Sequence, residues 1–509
     1  MSERRVVPRM ILLIAFLIAS SCGNPAQTTP SDLSDWLVST PEEQGLDSKK
    51  LEEMLAYIDE ENLPITSALV MRHGSLVMEA YPQRYAGPAV KRKLYSATKS
   101  FISALVGIAI QEGFLESVDQ KVINFFPERT IKNLNARKRD ITIEHLLTMT
   151  PGYQWDMGDG SRMRESQDPV QYVLDKPMVA APGRVYNYGD GASHLLSAIL
   201  TQVTGLTTLE FAQQYLFTPL GITDVSWESK EDVNFGGSGL YLTPRDMAKF
   251  GSLYLNEGRW GEKQVVPAKW VAHSTRTYVR GEGYIAETEA YIDGYGYQWW
   301  TVPESGVFYA SGMNEQRIYV IPELDMVVVF TANNTGPNLT YGLVSHFIYP
   351  ALEEQSVGRY SKYGFSFEYP FGMQVRESPF PGRDAISDAS GSVEFRYEYP
   401  FFEYISVTWL ASEELPDLEK LLEEVYASAE LEFTHLGPVE RVTKGGRDLA
   451  YQAFQLTDDG LALQGAVGAW YNPRQKRSYI FAYGATPESS PEVEVEDQFW
   501  KLYRSFSDE

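Results

Sequence analysis

The chain holds 509 residues, too many for one average domain, and 43% of them are hydrophobic and 13% aromatic, which excludes a disordered chain. A formal charge of −24 without any Lys/Arg cluster argues against nucleic-acid binding through phosphates. A single cysteine excludes intrachain disulfides and a cysteine-rich metal site.

At the N-terminus, Arg4, Arg5 and Arg9 precede "MILLIAFLIA" and then "SSCGN". The apolar run is shorter than the roughly 20 residues a membrane-spanning helix needs, and its basic flank gives residues 1–21 the form of an export signal. Ala19, Ser20 and Ser21 leading into Cys22 resemble a bacterial lipobox, which implies lipidation of Cys22 and a cell-envelope lipoprotein on the extracytoplasmic (periplasmic) side of its membrane. The alternative is a secretory signal with an incidental cysteine. Residues 22–35 then read as a tether.

Residues 36–355 read as one large mixed domain. "ITSALVMRHGSLVMEAYP" predicts two strands turning at His73-Gly74. "LYSATKSFISALVGIAIQEG" predicts a helix buried on all sides, since Phe101 to Ile110 is nearly all apolar without strict alternation. "LTPRDMAKFGSLYLNEG" predicts another, with Thr243 as N-cap, Pro244 at the first helical position and Asp246 closing a capping-box-like arrangement. "GVFYASGMNEQRIYVIPELDMVVVFTAN" predicts three strands, the last pair turning at "PELD". Strands at both ends with helices between imply one antiparallel sheet closed by both termini, with a helical region inserted across it. Residues 360–509 alternate strands such as "GFSFEYP", "YISVTWL" and "RSYIFAYGA" with two helices, a small α+β domain with a hairpin turn at Asn472-Pro473.

Three stretches can carry chemistry. Ser96 and Lys99 stand three apart at the head of the buried helix, so one turn sets the amine beside the hydroxyl. A lysine in a buried first turn, against the helix dipole, tends to lose its proton and serve as base. Ser96 is also placed to cap that helix, and Lys99 to snorkel to solvent. "APGRVYNYGDGASHLLSAIL" supplies Tyr186 and Tyr188, either of which could relay protons beside an ammonium or simply pack. In "YASGMNEQ", Gly312 permits close backbone approach, and the next amide could donate to an oxyanion. His145 and His194 fall in helical runs and read as structural; Trp299 and Trp300 could line the pocket but read first as core.

Five ordered blocks, "SATKSFISALVGIAIQEG", "ITIEHLLTMTPGYQWD", "PGRVYNYGDGASHLLSAIL", "GLYLTPRDMAKFGSLYLNEGRW" and "IYVIPELDMVVVF", closely resemble the β-lactamase-related serine hydrolases over residues 40–350. That family includes class C β-lactamases, D-amino-acid peptidases, certain carboxylesterases and amidases acting on nylon oligomers. The resemblance implies an α/β (α+β) fold of the serine β-lactamase/transpeptidase type, an antiparallel sheet flanked by helices with a helical subdomain. It implies Ser96 as nucleophile, Lys99 as its partner, Tyr188 rather than Tyr186 as the motif tyrosine, and the amides of Ser96 and Met313 as oxyanion hole. Asp190, Ser311 and Gly312 fall at substrate-binding positions, and no metal or organic cofactor is implied.

Three residues depart from the family pattern. Asp190 replaces Asn, which favours a charged Lys99 and moves base work to Tyr188. Ala310 replaces Lys or His and removes the usual partner of a substrate carboxylate, which ranks ester or amide cleavage above β-lactamase and peptidase activity. Glu315, where close relatives often have Gly, predicts a negative rim on the pocket. The expected partner is a small ester, amide or peptide-like substrate, with no oligomeric state implied. The alternative is a retired enzyme whose fold binds cell-wall fragments or a protein.

Overall fold

A computed structural model describes residues 36–508 apart from 157, 280–293, 304, 337–338, 353–356, 372, 381–384, 398–402, 429–431, 445, 459–460 and 487–491. The expectations for residues 1–35, including the signal segment, Cys22 and the tether, lie outside the described residues.

The first sheet has eight strands, β1 (Leu37–Val38), β2 (Ile65–Arg72), β3 (Ser75–Ala80), β4 (Gly294–Tyr295), β5 (Trp300–Val302), β6 (Val307–Gly312), β7 (Gln316–Ile321) and β8 (Met326–Ala332), in the order β1-β3-β2-β8-β7-β6-β5-β4. Apart from the parallel β1–β3 pair, its neighbours run antiparallel, and β8 joins β2 so that both ends of the domain meet in mid-sheet. The turns are those the sequence predicts: His73 and Gly74 carry positive φ, and Pro322–Leu324 forms a helical turn closed by left-handed Asp325.

Strand periodicity divides the core. In β8, Met326, Val328 and Phe330 face one cluster with α1 (Ser48–Glu60), while Val327 and Val329 face the other. The second cluster holds α2 (Thr98–Gln111), α3 (Asp159–Glu165), α4 (Asp190–Thr204) and α5 (Pro244–Leu255). Every residue of α2 from Thr98 to Ala109 is buried, as a run without a polar face requires. Thr243 caps α5 by accepting from the Asp246 amide.

A second eight-stranded antiparallel sheet follows, centred on Glu403–Ala411, Arg477–Ala485 and Leu461–Asn472. Helix Glu492–Ser505 packs against one face and Leu418–Ser428 against the other. Asn472 Oδ1 accepts from the amides of Arg474 and Gln475, which fixes the predicted hairpin turn.

Candidate active site

Ser96 lies in a 3₁₀ turn, Tyr95–Ala97, that leads into α2. Tyr95 has φ 46°, a left-handed backbone that a non-glycine residue adopts at a cost of about 1–3 kcal/mol. The turn presents Ser96 half-buried at the rim while Ala97 to Ser100 are buried. The capping role expected of Ser96 is not realised. The N-cap position of α2 falls on Ala97, no side chain caps the helix, and the extra 3₁₀ turn has taken up its first amides. The Ser96 hydroxyl instead accepts from Lys99 Nζ at 2.9 Å.

Lys99 is 1% exposed and does not snorkel. Its ammonium has three acceptors: Ser96 Oγ, Asp190 Oδ1 at 2.6 Å and the Gly237 carbonyl at 2.8 Å. Burial alone would strip its proton, but the Asp190 carboxylate, joined by Tyr188, raises the lysine above its ordinary value. The carboxylate that stands in place of Asn thus favours a charged Lys99, as expected of Asp190, and outweighs the tendency of a buried first-turn lysine to lose its proton: with three donors and three acceptors it is a held cation. Asp190 opens α4, where the helix dipole favours an anion, and its carboxylate is spent on Lys99.

Tyr188 stands over the same ammonium, with Lys99 Nζ 4.8 Å from its ring centroid. Tyr186, by contrast, packs edge-on against Tyr295, and its hydroxyl is buried without a partner. The two adjacent tryptophans also part. Trp299 is fully buried between Phe250, Tyr254 and Phe308. Trp300 is half-buried, with its ring 5.4 Å from Tyr188 and stacked on Tyr309.

β5 pairs with β6 only as far as Trp300↔Tyr309, so Ala310, Ser311 and Gly312 continue beyond it. Ala310 is fully buried on the α2 side, and its methyl group offers no charge where the family carries Lys or His. A Cβ on Gly312 would come within 2.1 Å of the Leu94 carbonyl oxygen and 3.2 Å of the Ala97 nitrogen, so glycine alone lets β6 lie against the Ser96 turn. That contact sets the Gly312–Met313 peptide beside Ser96. Ser311 pairs with Arg317, and alternation puts its side chain on the opposite face from Ala310 and Gly312.

Glu315 forms no negative rim. It is 5% exposed, accepts from Arg317 Nη2 at 3.0 Å and bonds the Thr340 hydroxyl and amide, because Glu315 and Arg317 are two apart at a strand entry and so share a face.

Two contributors escaped the sequence. Gly237 provides a backbone acceptor 138 residues from Lys99, and a Cβ there would stand 2.6 Å from Asp190, so its signal was the glycine run "FGGSG". Glu228 brackets that run by backbone, accepting from the Phe235 amide and donating to the Gly239 carbonyl. Its carboxylate accepts from Lys93, Tyr241 and Arg164. His145 serves a capping box with Thr142, and His194 is buried beside Phe235. Among the described residues no group of His, Cys, Asp and Glu is arranged to hold a metal ion.

The Beta-lactamase family model matches residues 48–348, more than half of the chain, from the start of α1 to beyond β8. The chain belongs to the Beta-lactamase family. Among curated relatives it is 26% identical over 293 residues to the 6-aminohexanoate-dimer hydrolase of Paenarthrobacter ureafaciens, covering 54% of this chain and 74% of that protein. It is 27% identical over 187 residues to the lovastatin esterase of Penicillium rubens, covering 32% of this chain and 46% of that one. A candidate beta-lactamase of known structure from Bacteroides dorei superposes with a TM-score of 0.50 at 18% identity, over 61% of this chain and 100% of the other, a likeness of fold.

Proposed function

We propose that this Beta-lactamase family member is a serine hydrolase that cleaves esters or amides through an acyl-enzyme on Ser96. The observation that carries the reading is the Lys99 ammonium, buried and bonded at once to Ser96 Oγ, Asp190 and Gly237. Ser96 attacks the substrate carbonyl as its proton passes to Tyr188, which stands over the Lys99 ammonium. The oxyanion rests on the amides of Ser96 and Met313. Tyr188 returns the proton to the leaving oxygen or nitrogen, and water then releases the acid. Lys99 stays charged throughout, as a donor that positions Ser96 Oγ.

The substrate we infer is neutral near its scissile bond. Ala310 offers no cation for a carboxylate, and Tyr188 packs its ring against that of Trp300 beside the Lys99 ammonium. The names of the relatives, a 6-aminohexanoate-dimer hydrolase and a lovastatin esterase, agree with that class. We also propose that Cys22 is lipidated; metabolic labelling with a palmitate analogue should mark the wild type and not Cys22→Ser.

A fluorophosphonate probe tests the hydrolase. It is expected to modify Ser96 in the wild type and leave Ser96→Ala unmarked. Folded wild-type protein that takes no label would sink the reading.

A further inference from the structure

We propose that Arg317 and Glu315 are positioning residues for the oxyanion hole: Arg317 grips the Gly312 carbonyl so that the opposite end of the same peptide, the Met313 N–H, faces Ser96. The inference rests on the proposed role of Ser96.

A trans peptide is planar, so its C=O and N–H point in opposite directions and fixing one aims the other. Arg317 Nη1 donates to the Gly312 oxygen at 3.0 Å within the buried interior. The guanidinium is held in turn by Glu315 at 3.0 Å, and Glu315 by Thr340. The next two carbonyls of the turn, those of Met313 and Asn314, are drawn inward by Gln316 Nε2, which also reaches Ala332. Three consecutive carbonyls of the turn are therefore each held by a side chain of β7. On the other side, Gly312 meets the Leu94–Ala97 backbone without room for a side chain.

The turn is also strained. Asn314 and Glu315 have φ 60° and 66°, the region that glycine prefers. A glutamate there forgoes the easy residue in exchange for a carboxylate that orders Arg317. The chain carries a buried ion pair at this point, 5% and 10% exposed, where a plain hairpin would need none. Such pairs are weak devices for stability and serve better to fix one geometry.

The test is the double variant Glu315→Gln/Arg317→Met, which leaves no lone buried charge, assayed with a p-nitrophenyl ester and a boronic acid that mimics the tetrahedral intermediate. We expect kcat to fall about 10²–10³-fold, as for loss of one oxyanion donor, with boronate affinity falling in parallel and KM nearly unchanged. Glu315→Gln alone, which keeps its shape, is expected to move both in the same direction by a smaller factor. A double variant with lowered thermal stability but unchanged kcat and boronate affinity would overturn the proposal, as would two variants that do not fold, because the pair would then serve stability alone. A wild type that neither hydrolyses the ester nor takes the fluorophosphonate would instead defeat the role of Ser96, and this inference with it.

Discussion

Lys99 Nζ and Asp190 Oδ1, 91 residues apart in the chain, lie 2.6 Å apart at the junction of α2 and α4. The contact decides which side chain can act as base. An isolated buried lysine would surrender its proton, but one facing a carboxylate holds it.

Replacing the carboxylate reverses that balance. In the wild type the folded value of Lys99 is raised above 10.5, so its contribution to stability is complete below that pH and is lost as pH rises through the folded value. In Asp190→Asn burial prevails and the folded value drops, so stability is lost as pH falls below 10.5. The melting temperature of the variant should trail the wild type more at pH 7 than at pH 10, and the alkaline limb of its kcat/KM should move to lower pH. An equal deficit at both pH values would mean that Lys99 is not the titrating group.

The two tyrosines offer a paired comparison. Tyr188→Phe should lower kcat by about 10²–10⁴-fold without unfolding the protein, the range for loss of a general acid–base group. Tyr186→Phe removes a buried hydroxyl that lacks a partner, and should leave kcat unchanged with stability equal or slightly higher. Steady-state rates and chemical denaturation of both variants check the contrast.

Gly312→Ala introduces a methyl group 2.1 Å from a backbone oxygen, which no rotamer can relieve. The strand end must retreat from the Ser96 turn and carry the Met313 amide with it, so kcat should fall about 10²–10³-fold. Circular dichroism should show the sheet intact. An active Gly312→Ala protein would contradict the assigned oxyanion hole.

Trp300→Ala removes the ring packed against Tyr188. Its kcat/KM should fall about tenfold or more for a hexanoyl ester, on the scale of lost methylene contacts, and far less for the acetyl ester. A hemisuccinyl ester should be a poorer substrate than the butyryl ester for the wild type, since Ala310 supplies no counter-charge.

Local patterns made much of this molecule legible. The unbroken apolar run gave α2, the alternation and turn residues gave both hairpins, and Thr243-Pro244 gave the start of α5. Ser96, Lys99 and Tyr188 come together from positions read in sequence. What stayed hidden depended on partners elsewhere in the chain. Gly237 contributes a carbonyl, which any residue possesses, and only the fold brings it to Lys99. Glu315 read as surface charge because it falls in a turn, and only the fold buries that turn against Thr340, although the two-residue spacing to Arg317 already placed both on one face. The added capping role of Ser96 fell away because a helix start was visible in sequence while the 3₁₀ turn preceding it was not.

The central claim is a covalent acyl group on Ser96. Wild-type protein mixed with a slowly deacylating p-nitrophenyl ester and acid-quenched within the burst should gain one acyl mass, mapped to the peptide carrying Ser96, and Ser96→Ala should gain none. Ester turnover with no adduct on the wild type, or an adduct that persists in Ser96→Ala, would contradict it.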